Sequence, residues 1–198
     1  MPQPRWGGRR APRSMTEPPL QRNLGFRLMS LEFRIRDWLR PPIRVLQEAG
    51  VRSGMTVLDF GCGPGGFSLA AAALVGPEGH VYALDIHPLA VRSVQRLTAR
   101  RGFGNIQTIL GNNMAGLGTR SIDIVLLYDV LHDIDEPMPT LRELRRVLKS
   151  EGVLSASDHH LTEEALLAKI TTNGCFRLTA RGTRTYHFEP TDTNNTVR

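Results

Sequence analysis

The chain has 198 residues, 40% of them hydrophobic and 22% charged, with 19 Gly, 13 Pro and two Cys. A chain of this length buries about 70% of the surface its unfolded form exposes, so one globular domain is expected and neither Cys62 nor Cys175 has to form a staple. No apolar run approaches the roughly 18 residues of a membrane span, which excludes the transmembrane and secreted disulfide-rich classes and leaves a cytoplasmic protein as the expectation.

The net charge of +6 is unevenly placed. Residues 1–52 hold 11 Arg against 4 acids, whereas the remainder holds 14 basic and 15 acidic residues. The basicity therefore belongs to the first quarter, and a nucleic-acid partner is disfavoured. Residues 1–19 mix seven Pro and Gly with four Arg, a composition expected to stay disordered, with Met15 as an alternative start. The segment is Arg-rich and acid-poor like a transit peptide, but its Pro and Gly spoil an amphipathic helix. In residues 20–41 the apolar positions Leu24, Leu28, Leu31, Ile35, Trp38 and Leu39 recur at helical spacing and stop at Pro41-Pro42. Three readings stand for residues 24–40: a helix packed on the domain, a cover over an active site, or a membrane-surface helix with a basic polar face.

From residue 42 onward strand and helix signals alternate. A helix is expected over 42–49, a strand over 55–60, a helix over 67–75, a strand over 80–84 closed by Asp85, and a helix over 88–101. Strands follow at 105–110 and 122–127, then a helix at 137–148, a strand at 152–157 and a helix at 162–172. Two last strands, 175–180 and 184–188, flank the turn Arg181-Gly182-Thr183, and residues 191–198 form a polar tail. The pattern implies an α/β fold: a doubly wound, Rossmann-like, mostly parallel sheet closed by an antiparallel hairpin.

Chemistry is expected where the first strand meets the next helix, at V-L-D-F-G-C-G-P-G-G, residues 57–66. In open parallel sheets ligands bind beyond the carboxyl ends of the strands, and glycines let a ligand lie against bare N–H groups. Asp85 ends the second strand 20 residues after Gly65, about the spacing at which an acid reaches ribose hydroxyls. The loop satisfies two templates. Gly61, Gly63 and Gly66 fit the dinucleotide pattern G-x-G-x-x-G, whereas Asp59, Gly61, Gly63 and Gly65 fit D-x-G-x-G-x-G. The extra carboxylate is awkward beside a pyrophosphate and apt for a ligand with an ammonium and a sulfonium, so it favours S-adenosylmethionine over NAD(P).

At this point the chain resembles the class I S-adenosylmethionine-dependent methyltransferases over residues 42–190. Residues 57–66 resemble the family's first motif, and Y-A-L-D-I-H-P, residues 82–88, its second. S-I-D-I-V-L-L-Y-D-V-L-H, residues 121–132, resembles the fourth strand and its loop. L-R-E-L-R-R-V-L-K-S-E-G-V-L, residues 141–154, resembles the branch that includes quinone-biosynthesis methyltransferases. The resemblance implies a seven-stranded sheet. It also implies that Gly61, Gly63 and Gly65 line the methionine part of the cofactor beside Asp59, that Asp85 binds the ribose, and that Ile86 packs on the adenine. Many relatives carry an acid after the third strand; here Asn112 and Asn113 stand, and an Asn carbonyl accepts the same bond. Tyr128 and Asp129 fall near the methyl group by the same implication.

For a base, needed only when the acceptor must lose a proton, His132 after the fourth strand is the first candidate, followed by His159 and His160 after the fifth. Asp129, His132 and His159 are thus the catalytic candidates. No metal is assigned, because Asp158, His159, His160, His132 and Asp133 match no ligand spacing. Absences narrow the acceptor: no N-P-P-Y or D-P-P-Y at the fourth strand, no Cys there, and only two lysines, Lys149 and Lys169. A small organic acceptor is expected, and Phe26, Phe33 and Trp38 suggest an apolar or aromatic one beneath a cover formed by residues 24–42. The rivals are an NAD(P)-dependent oxidoreductase and a cofactor-binding protein without turnover.

Overall fold

The computed structural model describes residues 42–191, residue 173 excepted. The expectations for residues 1–41, including the disordered start and the amphipathic helix, and for the tail beyond 191 lie outside the described residues. Helix α1 (Pro42–Glu48) leads to β1 (Thr56–Phe60), α2 (Gly66–Val75), β2 (His80–Asp85), α3 (Pro88–Arg101) and β3 (Ile106–Leu110). The chain continues through β4 (Ile122–Tyr128), a 3-10 turn (Leu131–Asp133), α4 (Pro137–Val147), β5 (Leu148–Ser157), α5 (Glu163–Thr171), β6 (Phe176–Arg181) and β7 (Tyr186–Pro190).

The seven strands form one sheet in the order β3-β2-β1-β4-β5-β7-β6. The first five pair in parallel, and β7 runs antiparallel to both β5 and β6. The order reverses between β1 and β4, so their following loops diverge and open a crevice at the carboxyl edge, where such folds bind ligands.

Local chemistry explains the elements. The run F-S-L-A-A-A-A-L-V makes α2 a strong helix, and Gly76 at φ 69° ends it. Pro88 opens α3, His87 caps it by accepting from the Leu89 N–H, and Gly102 at φ 71° ends it behind Arg100 and Arg101. Strand side chains alternate between two apolar layers. Val57 and Leu126 pack with Leu46 of α1 and Ala71, Ala72 and Val75 of α2. Leu58 and Leu127 pack with Leu141 and Leu144 of α4 and Leu166 and Ile170 of α5. On the first side Glu48, at the end of α1, accepts from the Thr185 hydroxyl at 2.9 Å and ties that helix to the terminal hairpin.

One boundary differs materially from the sequence reading. β5 starts at Leu148, not at 152, because Leu148 already pairs with Ile122 before the register shifts to Ile124 opposite Val153. Gly152 lies inside the strand, where a Cβ would stand 2.8 Å from the Leu148 side chain and 2.9 Å from the Asp123 carbonyl; closeness of approach, not turn-making, requires it.

Candidate active site

The glycine loop follows β1 directly. Gly61, Gly63 and Gly65 have φ of 80°, 51° and 100°, a region that side-chain-bearing residues rarely adopt. Two of them are also required by packing. A Cβ on Gly61 would lie 2.3 Å from Val130 Cγ2, and one on Gly65 would lie 2.9 Å from Val94 Cγ2.

The loop does not offer the bare N–H groups expected from the sequence. Gly61 and Cys62 donate to the Leu84 carbonyl at 2.8 and 3.0 Å, Gly65 donates to the Cys62 carbonyl at 3.0 Å, and Gly63 donates to Asp85 Oδ2 at 2.8 Å. With these four donors engaged within the protein, a pyrophosphate would meet only the N–H groups that open α2, which disfavours the dinucleotide template.

Asp85 is the hub of this half. Its Oδ1 accepts the His87 N–H at 2.7 Å while its Oδ2 accepts that of Gly63, so the end of β2 holds the loop after β1. A carboxylate has about four acceptor sites, which leaves capacity for a ligand hydroxyl. Burial raises its pKa, opposed by the His87 and Gly63 N–H groups. Ile86, next in chain, is half-buried.

Asp59 lies deeper, 3% exposed, with the Ser68 hydroxyl donating to its Oδ2 at 2.5 Å. Burial pushes its pKa up to about 7; the Ser68 hydroxyl acts against this and the negative charge of Asp85 adds to it. Its bonds in the structure are those of a carboxylate anchoring the first turn of α2. Cys62 is buried between the two acids, and burial followed by their charges pushes its thiol pKa up, so it is not a nucleophile.

After β3, Asn113 is exposed and closes a turn by accepting the Ala115 N–H at 2.7 Å, whereas Asn112 is half-buried. Tyr128, expected near a bound methyl group, is turned into the core. Its hydroxyl lies 2.8 Å from Ser155 Oγ and its ring packs on Phe67 with centroids 4.7 Å apart, so strand alternation aims it at the α2 layer. A buried phenol needs a partner, and Ser155 supplies it.

The histidines and acids beyond β4 and β5 come together. Asp129 sits at φ 54° and its Oδ1 accepts from the His159 N–H at 3.1 Å and lies 2.8 Å from His159 Nδ1. Asp158 Oδ2 accepts the His132 N–H at 2.9 Å and lies 2.9 Å from His132 Nδ1, and its Oδ1 accepts the His160 N–H at 3.0 Å. Burial acts to raise the Asp158 pKa, but the bonds from the His132 ring and the His160 and His132 N–H groups hold it below the ordinary carboxylate value. The sequence reading placed Asp158 only in a discarded metal grouping and missed it as a partner of His132; its position one residue past a strand end, facing a His past the neighbouring strand, was the available signal. Among the described residues no three His, Cys, Asp or Glu side chains converge as a metal site.

Residues 51–187 match the family model of a methyltransferase domain. With the 3-2-1-4-5-7-6 sheet and an acid ending β2 over a glycine loop, the chain belongs to the class I S-adenosylmethionine-dependent methyltransferases. The cofactor of that class is S-adenosylmethionine, and the glycine loop with Asp85 fits it: glycines at positive φ let the loop turn tightly against Val130 and Val94, and Asp85 at its rim keeps acceptor capacity.

The solved S-adenosylmethionine-dependent methyltransferase of Aquifex aeolicus is 26% identical and superposes with a TM-score of 0.68 over 78% of this chain and 91% of its own. A putative enzyme of the same description from Methanococcus maripaludis shares the fold at 15% identity, with a TM-score of 0.72 over 87% and 94% of the two chains. Among curated proteins, the demethylmenaquinone methyltransferase of Geobacillus kaustophilus is 34% identical over 110 residues, 55% of this chain and 47% of that protein. That of Listeria monocytogenes is 31% identical over 122 residues, 61% and 50% respectively. The chain therefore spans about half the length of the curated relatives it matches.

Proposed function

We propose that this protein transfers the methyl group of S-adenosylmethionine to a small apolar or aromatic organic acceptor by in-line displacement, as a cytoplasmic enzyme. The observation that carries this reading is the Asp85 carboxylate, which clasps the Gly63 N–H across the end of the sheet and retains acceptor capacity. The names of the curated relatives point to a quinone-type ring as the acceptor.

In this reading Gly61, Gly63 and Gly65 line the methionine part with Asp59 beside them, Asp85 accepts from the ribose hydroxyls and Ile86 packs on the adenine. Asn112 accepts from the adenine amino group, with Asn113 shaping the loop; Tyr128 backs the end of β4 from the core. Asp129, His132 and His159 border the acceptor, and residues 24–42 cover it. When bound, S-adenosylmethionine supplies a carbon already activated by a sulfonium, so the chain contributes chiefly by holding the acceptor in line, an effect worth about 7–11 kcal/mol.

The test is isothermal titration with S-adenosylmethionine, S-adenosylhomocysteine and NADH, on the wild type and Asp85→Ala. Saturable binding of the sulfur ligands, weakened in the variant, is the expected result; binding of NADH alone would overturn the reading. Deleting residues 1–40 is expected to lower acceptor turnover while leaving cofactor binding in place, and full turnover without them removes the cover.

A further inference from the structure

Two Asp–His pairs cross between the loops that follow β4 and β5. Each loop gives one acid and one imidazole: Asp129 of the first holds His159 of the second, and Asp158 of the second holds His132 of the first. The His160 ring lies between the two imidazoles, its centroid 4.2 Å from that of His132 and 3.8 Å from that of His159.

An ionised carboxylate only accepts, so the ring nitrogen facing it is the protonated one, and the neutral imidazole then presents Nε2 as an acceptor. Both pairs set this tautomer, but they differ in enclosure. The Asp158 side chain is completely buried and the His132 ring is 23% exposed, whereas the His159 ring is 60% exposed over an Asp129 side chain at 17%. Asp158 has three donors on it from two loops, and a sealed, fully engaged acid holds its ring in one orientation. The His132 ring stands just past β4 with its Nε2 3.5 Å from the exposed Asp133 carboxylate, longer than the 2.9 Å at which Nδ1 meets Asp158, so the closer Asp158 contact sets the tautomer.

We propose that His132 is the general base of this enzyme, that Asp158 is its positioning residue, and that the acceptors it serves carry an ionisable hydroxyl: phenols, enols or hydroquinones. This rests on the methyltransferase reading and narrows it. His132 Nε2 takes the hydroxyl proton, and the released electron pair forms the bond to the methyl carbon as the carbon–sulfur bond breaks with its pair on sulfur. The sulfonium charge is thereby replaced by an imidazolium, whose proton passes to water. Where the pair acts from a conjugated ring carbon, that carbon returns its own hydrogen to the oxygen. The imidazolium faces Asp158 and Asp133, which stabilise it, and the His160 ring, beyond which lie His159 and Asp129.

The experiment uses the full chain and three readouts. Proton–nitrogen NMR across about pH 6–9, followed to the alkaline plateau, should show His132 with hydrogen on Nδ1, and Asp158→Asn should lose that preference because an amide brings a donor to the pair. Methyl transfer to 1,4-naphthohydroquinone at about pH 7 should fall about 100-fold or more in His132→Asn and by a smaller factor in Asp158→Asn, within the span of general-base effects. His159→Asn should fall less than His132→Asn. With 4-nitrophenol at about pH 8, already ionised in solution, the loss in both His132→Asn and Asp158→Asn should shrink at least tenfold, a response that a merely structural role does not give.

Equal losses on the two acceptors, an Nε2–H tautomer in the wild type, or a larger loss in His159→Asn than in His132→Asn would overturn the proposal. So would failure to methylate either acceptor while S-adenosylmethionine binds, an outcome that leaves the methyltransferase reading standing. Failure of S-adenosylmethionine to bind would instead break the reading beneath it.

Discussion

The two halves of the site are built by different means. Around the glycine loop, backbone conformation and steric exclusion do the work: three consecutive alternate glycines at positive φ, their N–H groups bonded inward, one acid buried and one at the rim. Beyond β4 and β5, side chains from two loops grip each other, and a non-glycine residue, Asp129, occupies φ 54°. In the proposed cofactor half the conformation is carried by glycine backbone and packed against fixed neighbours, Asp85, Val94 and Val130, while in the proposed acceptor half side chains of two loops hold one another. Such a division suits an enzyme class with one cofactor and many acceptors, since loops can change without disturbing the cradle.

The sharpest way to break this contrast is Gly61→Ala. A Cβ at 2.3 Å from Val130 Cγ2, on a residue at φ 80°, is expected to destabilise the fold by about 3 kcal/mol or more, read by urea unfolding. Val130→Ala added to it should recover part of that loss, leaving the backbone strain; no recovery would mean that Val130 is not the obstacle.

Asp59→Asn comes next and depends on pH. Because burial raises the folded pKa of Asp59 to about 7, well above its ordinary value, the associated stability is fully present below about pH 4 and lost as pH rises through 7. The variant lacks that slope, so its stability relative to wild type should climb between about pH 5 and 8 by an amount on the order of a few kcal/mol. Thermal unfolding across that range checks it, and a pH-independent difference would show that Asp59 is not held partly protonated.

Asp85→Ala removes an acceptor for two N–H groups together with the proposed ribose contact. Affinity for S-adenosylmethionine should fall roughly 10- to 100-fold, the span of a charged hydrogen bond of about 1.5–3 kcal/mol, measured by titration calorimetry. In the acceptor half the effects on stability are smaller. Asp129→Asn keeps an acceptor for His159 and tolerates the left-handed backbone, so a change within about 0.5 kcal/mol is expected; Asp129→Ala loses both and should be destabilised by about 1–2 kcal/mol, with cofactor affinity unchanged in each. Loss of cofactor affinity in either variant would show that the halves are coupled.

The same contrast governs what was legible beforehand. The alternation of strands and helices follows from the apolar periodicity of neighbouring residues, so it is readable in order along the chain. The early start of β5 is not, since it depends on Leu148 meeting Ile122 across the sheet. The resemblance puts Tyr128 near the methyl group, but which face of the sheet it presents is settled by Phe67 and Ser155.

By itself the sequence determined the fold class, the glycine loop and its two acids, because those rest on backbone preference and on spacings of a few residues. Only the tertiary structure decided that Gly61, Cys62, Gly63 and Gly65 spend their N–H groups on the protein, that Asp59 is a buried anchor, and that His132 Nδ1 is paired with Asp158. Hydrogen-bond partners and burial are properties of segments brought together across the sheet, here 22 residues apart for Gly63 and Asp85 and 26 for His132 and Asp158, and no local pattern encodes them.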